Sequence, residues 1–274
     1  MAINYIDATT EEIDAALNRS WQAFRQYRRL SWKERAAFLY AIAGEMEERA
    51  SELIDVAHKE THLGKGRLKV ELGRTMFQLT SYGKACEQGS WMDIRIEEGS
   101  GNKPDLRKML VPLGPVVVFG ASNFPFAYST AGGDTACALA AGCSVILKAH
   151  PAHAATSELV AEAVLAAAQY CGLPPAVFIH IHGASFEVGQ ALVQHPLTKA
   201  VGFTGSYEGG MALFSWANSR PVPIPVFAEM GSVNPVFLLQ QKLKEVALLL
   251  LASMPPPSLR PLVSFVPTRD YWWR

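Results

Sequence analysis

The sequence contains few cysteines, and none of them belongs to a CxxC motif. The 274 residues contain Cys86, Cys137, Cys143 and Cys171. Their helical or alanine- and glycine-rich surroundings predict reduced thiols in a protein core, which is typical of a cytoplasmic protein. No cysteine follows Cys171, so the rest of the chain has no thiol that could act as a nucleophile.

A long apolar run and a net charge are also absent. The apolar run at 246–252 is too short to cross a membrane, and the acidic, amphipathic N-terminal segment lacks the apolar stretch of a signal peptide. Lys plus Arg equals Asp plus Glu, at 25 each. We therefore expect neither a membrane nor a nucleic acid as a partner.

The histidines do not form a convincing metal site. His58 and His62 are four residues apart, but Glu60 lies between them in the order HxExH, which differs from the HExxH of zinc enzymes. His180 and His182 would share one face of a strand, yet no third ligand lies nearby in the sequence. We expect no metal.

The N-terminal part of the chain, residues 1–110, predicts helices followed by a β-hairpin-like segment. Apolar residues recur at helical spacing after Thr9 and Ser31, both of which are residue types that begin helices. The predicted elements are helices starting at Thr9 and Ser31, helices at 51–60 and 66–88, and antiparallel strands at 91–97 and 108–111.

The segment 111–150 predicts a strand, a turn, a helix of small residues and a second strand. The β-branched run at 116–119 and the run at 144–147 suit parallel strands buried on both faces. Asn123 follows the first strand, at the edge where open α/β sheets place their chemistry. Its amide could donate to a developing oxyanion, or it could cap the following helix, and the local sequence leaves both interpretations open.

Further strand and helix signals continue this alternation. A helix is predicted at 156–170, a strand at 176–181, a helix through 189–193, a strand at 200–204 and a strand at 222–228. The glycine-containing turn at 205–210 joins a strand to a helix N-terminus, an arrangement that favours a phosphate group. Its GxxxxG pattern lacks the Lys-Ser/Thr of a P-loop, so the motif alone is weak evidence.

Glu229 follows the last predicted strand. A carboxylate beside glycine at a strand end could act as a general base if burial raised its pKa, or it could be a structural partner for a backbone amide. Repeated βα units with sites at strand ends predict an α/β fold with a doubly wound, Rossmann-like parallel sheet at 111–235.

Four motifs in this order resemble the aldehyde dehydrogenase superfamily over about residues 10–243. The motifs are GASNFPF at 120–126, ILKAHP at 146–151, FTGS at 203–206 with Gly210, and FAEMGSVNP at 227–235. The variants ELGRT at 71–75 and GGDTACALAAG at 132–142, together with EMGSVNP, look most like the α-ketoglutaric semialdehyde (2,5-dioxovalerate) dehydrogenase branch. The resemblance implies oxidation of a semialdehyde to the carboxylate with NADP or NAD, in a homo-oligomer.

The resemblance also implies roles for individual residues. Asn123 would donate to the oxyanion of a thiohemiacetal, and Glu229 would activate the water that releases the acid. The cofactor-binding residues would be Phe119 through its backbone, Lys148 at the adenosine ribose, Gly189 near the adenine, and Gly205, Ser206 and Gly210 at the pyrophosphate turn.

Pro151 is a departure that bears on the choice of cofactor. Many NAD-preferring relatives have an acidic residue three positions after the lysine, where it binds the ribose hydroxyls. Pro151 occupies that position here. Without a carboxylate to repel a 2′-phosphate, NADP should be tolerated, and a preference for NADP over NAD is a hypothesis.

A second departure concerns the nucleophile. The family uses a cysteine a few dozen residues beyond the glutamate, and the matching region here is near Val263 and Ser264. Residues 236–274 are expected to be an aberrant tail, truncated or frameshifted, in place of the catalytic domain. Such a chain would not complete the reaction, and the alternatives are a dinucleotide-binding fragment without turnover or an assembly partner of intact subunits.

Overall fold

The structure is a computed structural model that describes residues 5–231. The predicted tail at 236–274 and the region of Val263 and Ser264 therefore lie outside the described residues. Within 5–231, no helix is long and apolar enough to cross a membrane.

Helices and strands occur in the order that the sequence predicted. The helices of the described residues are α1 (Thr10–Tyr27), α2 (Trp32–Glu48), α3 (Ala50–Thr61), α4 (Lys65–Gln88), α5 (Gly133–Ala141), α6 (Ala154–Tyr170), α7 (Phe186–Gln194) and α8 (Tyr207–Asn218). The strands are β1 (Arg95–Glu97), β2 (Leu106–Lys108), β3 (Val116–Phe119), β4 (Val145–Lys148), β5 (Phe178–Ile181), β6 (Ala200–Thr204) and β7 (Val226–Glu229).

The first two helices begin where their capping residues predicted. Thr9 Oγ1 accepts from the N–H of Glu12 at 3.2 Å, while the Glu12 carboxylate accepts from the N–H of Thr9 at 2.8 Å. Ser31 and Glu34 form the same reciprocal pair before α2. Each capping box satisfies two N–H groups that the helix itself leaves without acceptors.

Five parallel strands form the central sheet, in the order β5-β4-β3-β6-β7. The chain first adds β4 and β5 on one side of β3. It then returns and adds β6 and β7 on the other side of β3. This is the doubly wound arrangement, so the predicted fold class is confirmed.

Side chains alternate across β3 into two separate cores. Val116 and Val118 belong to the cluster that also contains buried residues of α2 to α6, whereas Val117 and Phe119 belong to a cluster with residues of α1, α7 and α8. Because successive strand residues point to opposite faces, a continuous apolar run is what a strand covered on both faces needs.

The predicted strand at 91–97 was too long. Ser90–Met92 forms a short 3₁₀ turn, in which the Trp91 indole N–H donates to the Ala85 carbonyl at 3.0 Å. Asp93 then adopts a left-handed backbone, with φ of 47°, and β1 begins only at Arg95. Its partner is β2 at Leu106–Lys108, so the predicted partner at 108–111 was displaced, and both strands are exposed where a half-buried strand was expected.

The last described strand is shorter than the predicted segment 222–228. β7 begins at Val226, after Pro223 and Pro225. Proline has no N–H to donate to a neighbouring strand. The Pro225 carbonyl can still accept, and it accepts from the Val201 N–H at 3.1 Å just before β7 begins.

Candidate functional site

The carboxyl ends of the central strands form one edge of the sheet. Phe119 of β3 pairs in register with Lys148 of β4 on one side and Phe203 of β6 on the other, and Lys148 pairs in turn with Ile181 of β5. The direction of building reverses between β3 and β6. Open α/β sheets bind their ligands at this kind of reversal, outside the carboxyl ends of the strands.

A cleft of about 700 Å³ opens at this edge, between α7 and α8. Five of the predicted cofactor residues line it, although they come from four different segments of the chain. These residues are Phe119, Lys148, Gly189, Gly205 and Ser206. This size suits a large organic ligand rather than an ion.

The start of α8 gives the cleft its anion-binding character. Ser206 is the N-cap, and its Oγ accepts from the Gly209 N–H at 3.1 Å. The N–H groups of Tyr207 and Glu208 have no acceptor within the helix, so this end of the helix has donors available and a positive dipole. Gly205 is exposed immediately before it, and a Cβ there would lie 2.5 Å from Cζ of Phe203. Glycine at this position therefore leaves room for the Phe203 ring beside the turn.

The two remaining predicted glycines differ in what surrounds them. A Cβ on Gly189 would lie 3.4 Å from Cε1 of Phe119, which is an ordinary contact, so α7 lies against the end of β3 without requiring glycine there. Gly210 is buried and, among the described residues, does not line the cleft. A Cβ there would lie 2.5 Å from Sδ of Met230, which indicates that its small size serves the packing of α8.

Lys148 is the cationic side chain of β4 in this cleft, and it is half-buried. Burial lowers the pKa of its ammonium, and the negative charge of Asp7 partly opposes that shift. Asp7 itself accepts from the N–H groups of Ala184 and Ser185, at 2.5 Å and 3.2 Å, in the loop before α7. Two hydrogen bonds lower the pKa of Asp7, so it remains a carboxylate. The larger effect comes from the Ser185 side chain and the next from the backbone N–H of Ala184.

Asn123 does not cap a helix, so that interpretation was wrong. The next helix, α5, begins at Gly133 with Gly132 as its N-cap, well beyond Asn123. Asn123 is exposed in a loop, and its carbonyl accepts from Nη2 of Arg67 at 2.7 Å. Its side-chain amide thus has no structural role in capping, and its predicted role at an oxyanion stays a prediction.

Helix α4 holds the loop that contains Asn123. The buried carboxylate of Glu71 accepts from the N–H groups of Phe126 and Ala127, at 2.8 Å and 3.0 Å. Arg74, three residues later on the same helix, donates to the hydroxyl of Tyr128 at 2.6 Å. The segment ELGRT therefore holds the backbone of the loop that contains Asn123. From the sequence, this segment indicated only a resemblance to one branch of the family.

Glu229 lies at the end of β7, opposite Thr204 of β6. Its carbonyl accepts from the Gly205 N–H at 3.0 Å, which ties it to the glycine turn of the cleft. The Glu229 side chain is exposed and, within residues 5–231, neither it nor Asn123 lines the cleft. Five of the six predicted cofactor residues thus converge on the cleft, whereas Gly210 and the two predicted catalytic residues lie outside that cavity.

Several cleft residues were missed by the sequence analysis. Trp216 lies two turns along α8 from Gly209 on the cleft side of the helix, at a spacing that helical periodicity could have identified. His150 also lines the cleft, and burial lowers its pKa to about 4. Asp7 could not have been found, since it contacts residues 177 and 178 positions away.

The histidine pairs form no metal site within the described part of the chain, where no cluster of three metal-ligating side chains occurs. His58 Nδ1 lies 2.7 Å from the Leu63 carbonyl, and His180 Nε2 lies 2.8 Å from the Ser157 hydroxyl. The prediction that all four cysteines are core thiols was wrong for Cys137, which is exposed on α5.

The fold and the cleft together define a dinucleotide-binding type of α/β protein. A sequence profile described as the aldehyde dehydrogenase family matches residues 2–249. The chain belongs to the aldehyde dehydrogenase family, as its four motifs predicted.

Relatives within the family agree with this assignment. The chain is 48% identical over 244 residues to the alpha-ketoglutaric semialdehyde dehydrogenase of Acinetobacter baylyi, covering 87% of this chain and 46% of the relative. It is 50% identical over 236 residues to alpha-ketoglutaric semialdehyde dehydrogenase 2 of Azospirillum brasilense, covering 84% of this chain and 45% of the relative. The chain thus spans less than half the length of these relatives.

Solved structures show the same fold. A NAD-dependent benzaldehyde dehydrogenase from Corynebacterium glutamicum matches with a TM-score of 0.76 and 24% identity, covering 85% of this chain and 49% of that one. A 1-pyrroline-5-carboxylate dehydrogenase from Thermus, with bound NAD, matches with a TM-score of 0.75 and 25% identity, covering 84% of this chain and 44% of that one.

The neutral state of half-buried His180 predicts a loss of stability in acid. Burial, reinforced by neighbouring His182, lowers the pKa of His180 to about 3, below the ordinary value near 6.5. Between these pH values the unfolded chain binds a proton that the folded chain does not, so stability falls as the pH falls. We expect His180→Gln to remove about 1–2 kcal/mol of the decrease in unfolding free energy between pH 7 and pH 5.

Urea unfolding at both pH values measures this difference. The control is His62→Asn, at an exposed histidine whose left-handed backbone asparagine tolerates. If the unfolding free energy of His180→Gln had the same pH dependence as that of the wild type, His180 would not be neutral in the folded chain between pH 7 and pH 5.

Proposed function

We propose that this chain binds NADP, and NAD less tightly, in the cleft between α7 and α8. The observation that carries the proposal is the convergence of Phe119, Lys148, Gly189, Gly205 and Ser206 on one cavity. The family resemblance predicted these residues from the sequence, and they are distributed over β3, β4, α7 and the turn before α8.

The groups of the cleft suit the parts of a dinucleotide. The free N–H groups at the start of α8 and the adjacent glycine would hold the pyrophosphate, because donors and helix dipole both favour an anion. The Lys148 ammonium would donate to the adenosine ribose hydroxyls.

The preference for NADP rests on the residues near Lys148. Pro151 and His150 line the same cleft, and neither places a negative charge there. Among the described lining residues the one carboxylate is that of Glu208, in the first turn of α8. A 2′-phosphate near Lys148 would meet that cation, and the Asp7 carboxylate, which does not itself line the cleft, would partly offset the attraction.

The reaction proposed for the complete site is oxidation of a semialdehyde to its carboxylate. The nicotinamide would accept the hydride, Asn123 would stabilise the oxyanion and Glu229 would activate the water. The names of the relatives from Acinetobacter baylyi and Azospirillum brasilense support 2,5-dioxopentanoate as substrate. Assembly with further copies remains a prediction from the family.

We further propose that this 274-residue chain binds its cofactor without turnover. The covalent route needs a thiolate, and no cysteine follows Cys171. None of the four cysteines lines the cleft, and the exposed one, Cys137, lies on α5. Burial raises the pKa of the Cys86, Cys143 and Cys171 thiols, which disfavours the reactive form.

Fluorescence titration tests cofactor binding. We expect saturable binding of NADPH, with weaker binding of NADH, and Lys148→Gln should weaken NADPH binding about tenfold because it removes a charged donor. The matched control is Lys59→Gln, an exposed lysine outside the cleft. Absence of saturable binding would refute the proposed function, and equal or tighter binding of NADH would refute only the preference.

Substitution of Pro151 tests the source of the preference. Pro151→Glu places a carboxylate where NAD-preferring relatives have one, and like-charge repulsion should weaken NADPH binding about tenfold with little effect on NADH. Pro151→Gln has a similar side chain without the charge and should leave the NADPH affinity close to that of the wild type. Equal losses in both variants would indicate a backbone effect instead.

An absorbance assay tests the absence of turnover. We expect no NADPH formation from NADP and 2,5-dioxopentanoate by the purified chain, because no activated thiolate is available. The relative from Acinetobacter baylyi, assayed in parallel, checks the substrate and the conditions. Steady NADPH formation by the 274-residue chain would show that another group replaces the cysteine.

A further inference from the structure

A second cavity, of about 660 Å³, lies where the end of α1 and the start of α2 meet the chain after β2. We propose that it binds a small anion with more than one phosphate or carboxylate group. The two cavities have no lining residue in common. The proposed site is therefore independent of the dinucleotide cleft.

The charge of this cavity is one-sided. Its lining includes four arginines, Arg25, Arg28, Arg29 and Arg35, and no acidic side chain among the described residues. Within residues 5–231, none of the four forms an ion pair. Guanidinium groups gathered around one cavity repel each other, and a multivalent anion would convert that repulsion into attraction.

Arg35 is the buried charged residue of the proposed site. Its exposure is only 4%, and its two terminal nitrogens donate to backbone carbonyls, Nη1 to Ala141 at 3.2 Å and Nη2 to Arg28 at 2.8 Å. Its buried Nε has no hydrogen-bond partner. Carbonyl groups satisfy hydrogen bonds but do not neutralise charge, so Arg35 remains a buried cation that lines the cavity and, among the described residues, has no counter-ion.

The other arginines could complete an anion site around Arg35. Arg28 is held in place, with its guanidinium 5.3 Å from the centre of the Phe24 ring. Arg25 and Arg29 are exposed, so their side chains can adjust to a ligand. Guanidinium groups match the two-oxygen edge of phosphate and carboxylate, and several of them together favour a multivalent anion over chloride.

Isothermal titration of the full 274-residue chain with pyrophosphate and, separately, with citrate tests the proposal. Both titrations are performed in excess sodium chloride at constant ionic strength, which screens the non-specific attraction of exposed charges. We expect saturable binding of at least one anion. Tighter binding of pyrophosphate would assign phosphate as the preferred group, and tighter binding of citrate would assign carboxylate.

Charge-matched variants locate the binding. The double variant Arg25→Gln/Arg29→Gln, which leaves the buried Arg35 intact, should weaken anion binding at least about tenfold, since it removes charged donors. The control Arg19→Gln/Lys33→Gln removes two exposed positive charges of α1 and α2 that do not line the cavity. It should retain the wild-type affinity.

Tryptophan fluorescence provides a second readout, because Trp32 lines the cavity. An anion-dependent change that disappears in Trp32→Phe supports the location. No saturable binding of either anion, or equal losses in the two double variants, would overturn the proposal. NADPH affinity should be the same in both double variants, which separates this test from that of the dinucleotide cleft.

Discussion

The pairing of β3 with β4 on one edge and β6 on the other is the constraint on which the cleft depends. Phe119 lies in register with both Lys148 and Phe203, so three separate segments end at the same level of the sheet. Parallel pairing requires a crossover helix between consecutive strands, and the two directions of building leave a gap at the carboxyl edge. A slip of one residue in β3 would exchange its two buried faces and misplace this edge.

Local chemistry explains why much of the fold was predictable. The strands at 116–119 and 200–204 are apolar runs bounded by proline or glycine, and the structure places β3 and β6 at those residues. Thr9 and Ser31 determine where α1 and α2 begin, because the capping contacts lie within three residues. Wherever the determining interactions are local, the sequence pattern is sufficient.

Long-range contacts explain what the sequence did not predict. The alternating residues at 91–97 resemble a strand, but the bond from Trp91 to the end of α4 and the left-handed Asp93 shorten it. Asp7 reaches the loop before α7, and Glu71 holds the loop of Asn123 from 55 and 56 positions away. No periodicity encodes such pairs. Five of the six predicted cofactor residues line the cleft, whereas the exposure of Asn123 and Glu229 could be seen only in the structure.

Burial distinguishes part of the cleft from Asn123 and Glu229, the two predicted catalytic residues. Hydrogen-bond donors and carboxylates stabilise charge strongly only where water is excluded, since the effective dielectric constant of water weakens them many-fold. The cleft residues meet that condition in part, because Phe119 and Gly189 are buried and Lys148 is half-buried. Asn123 and Glu229 are both exposed in the described structure. Gly205 and Ser206 of the cleft are exposed as well. If Asn123 and Glu229 act on an aldehyde as predicted, they need surroundings with less water than the described residues provide.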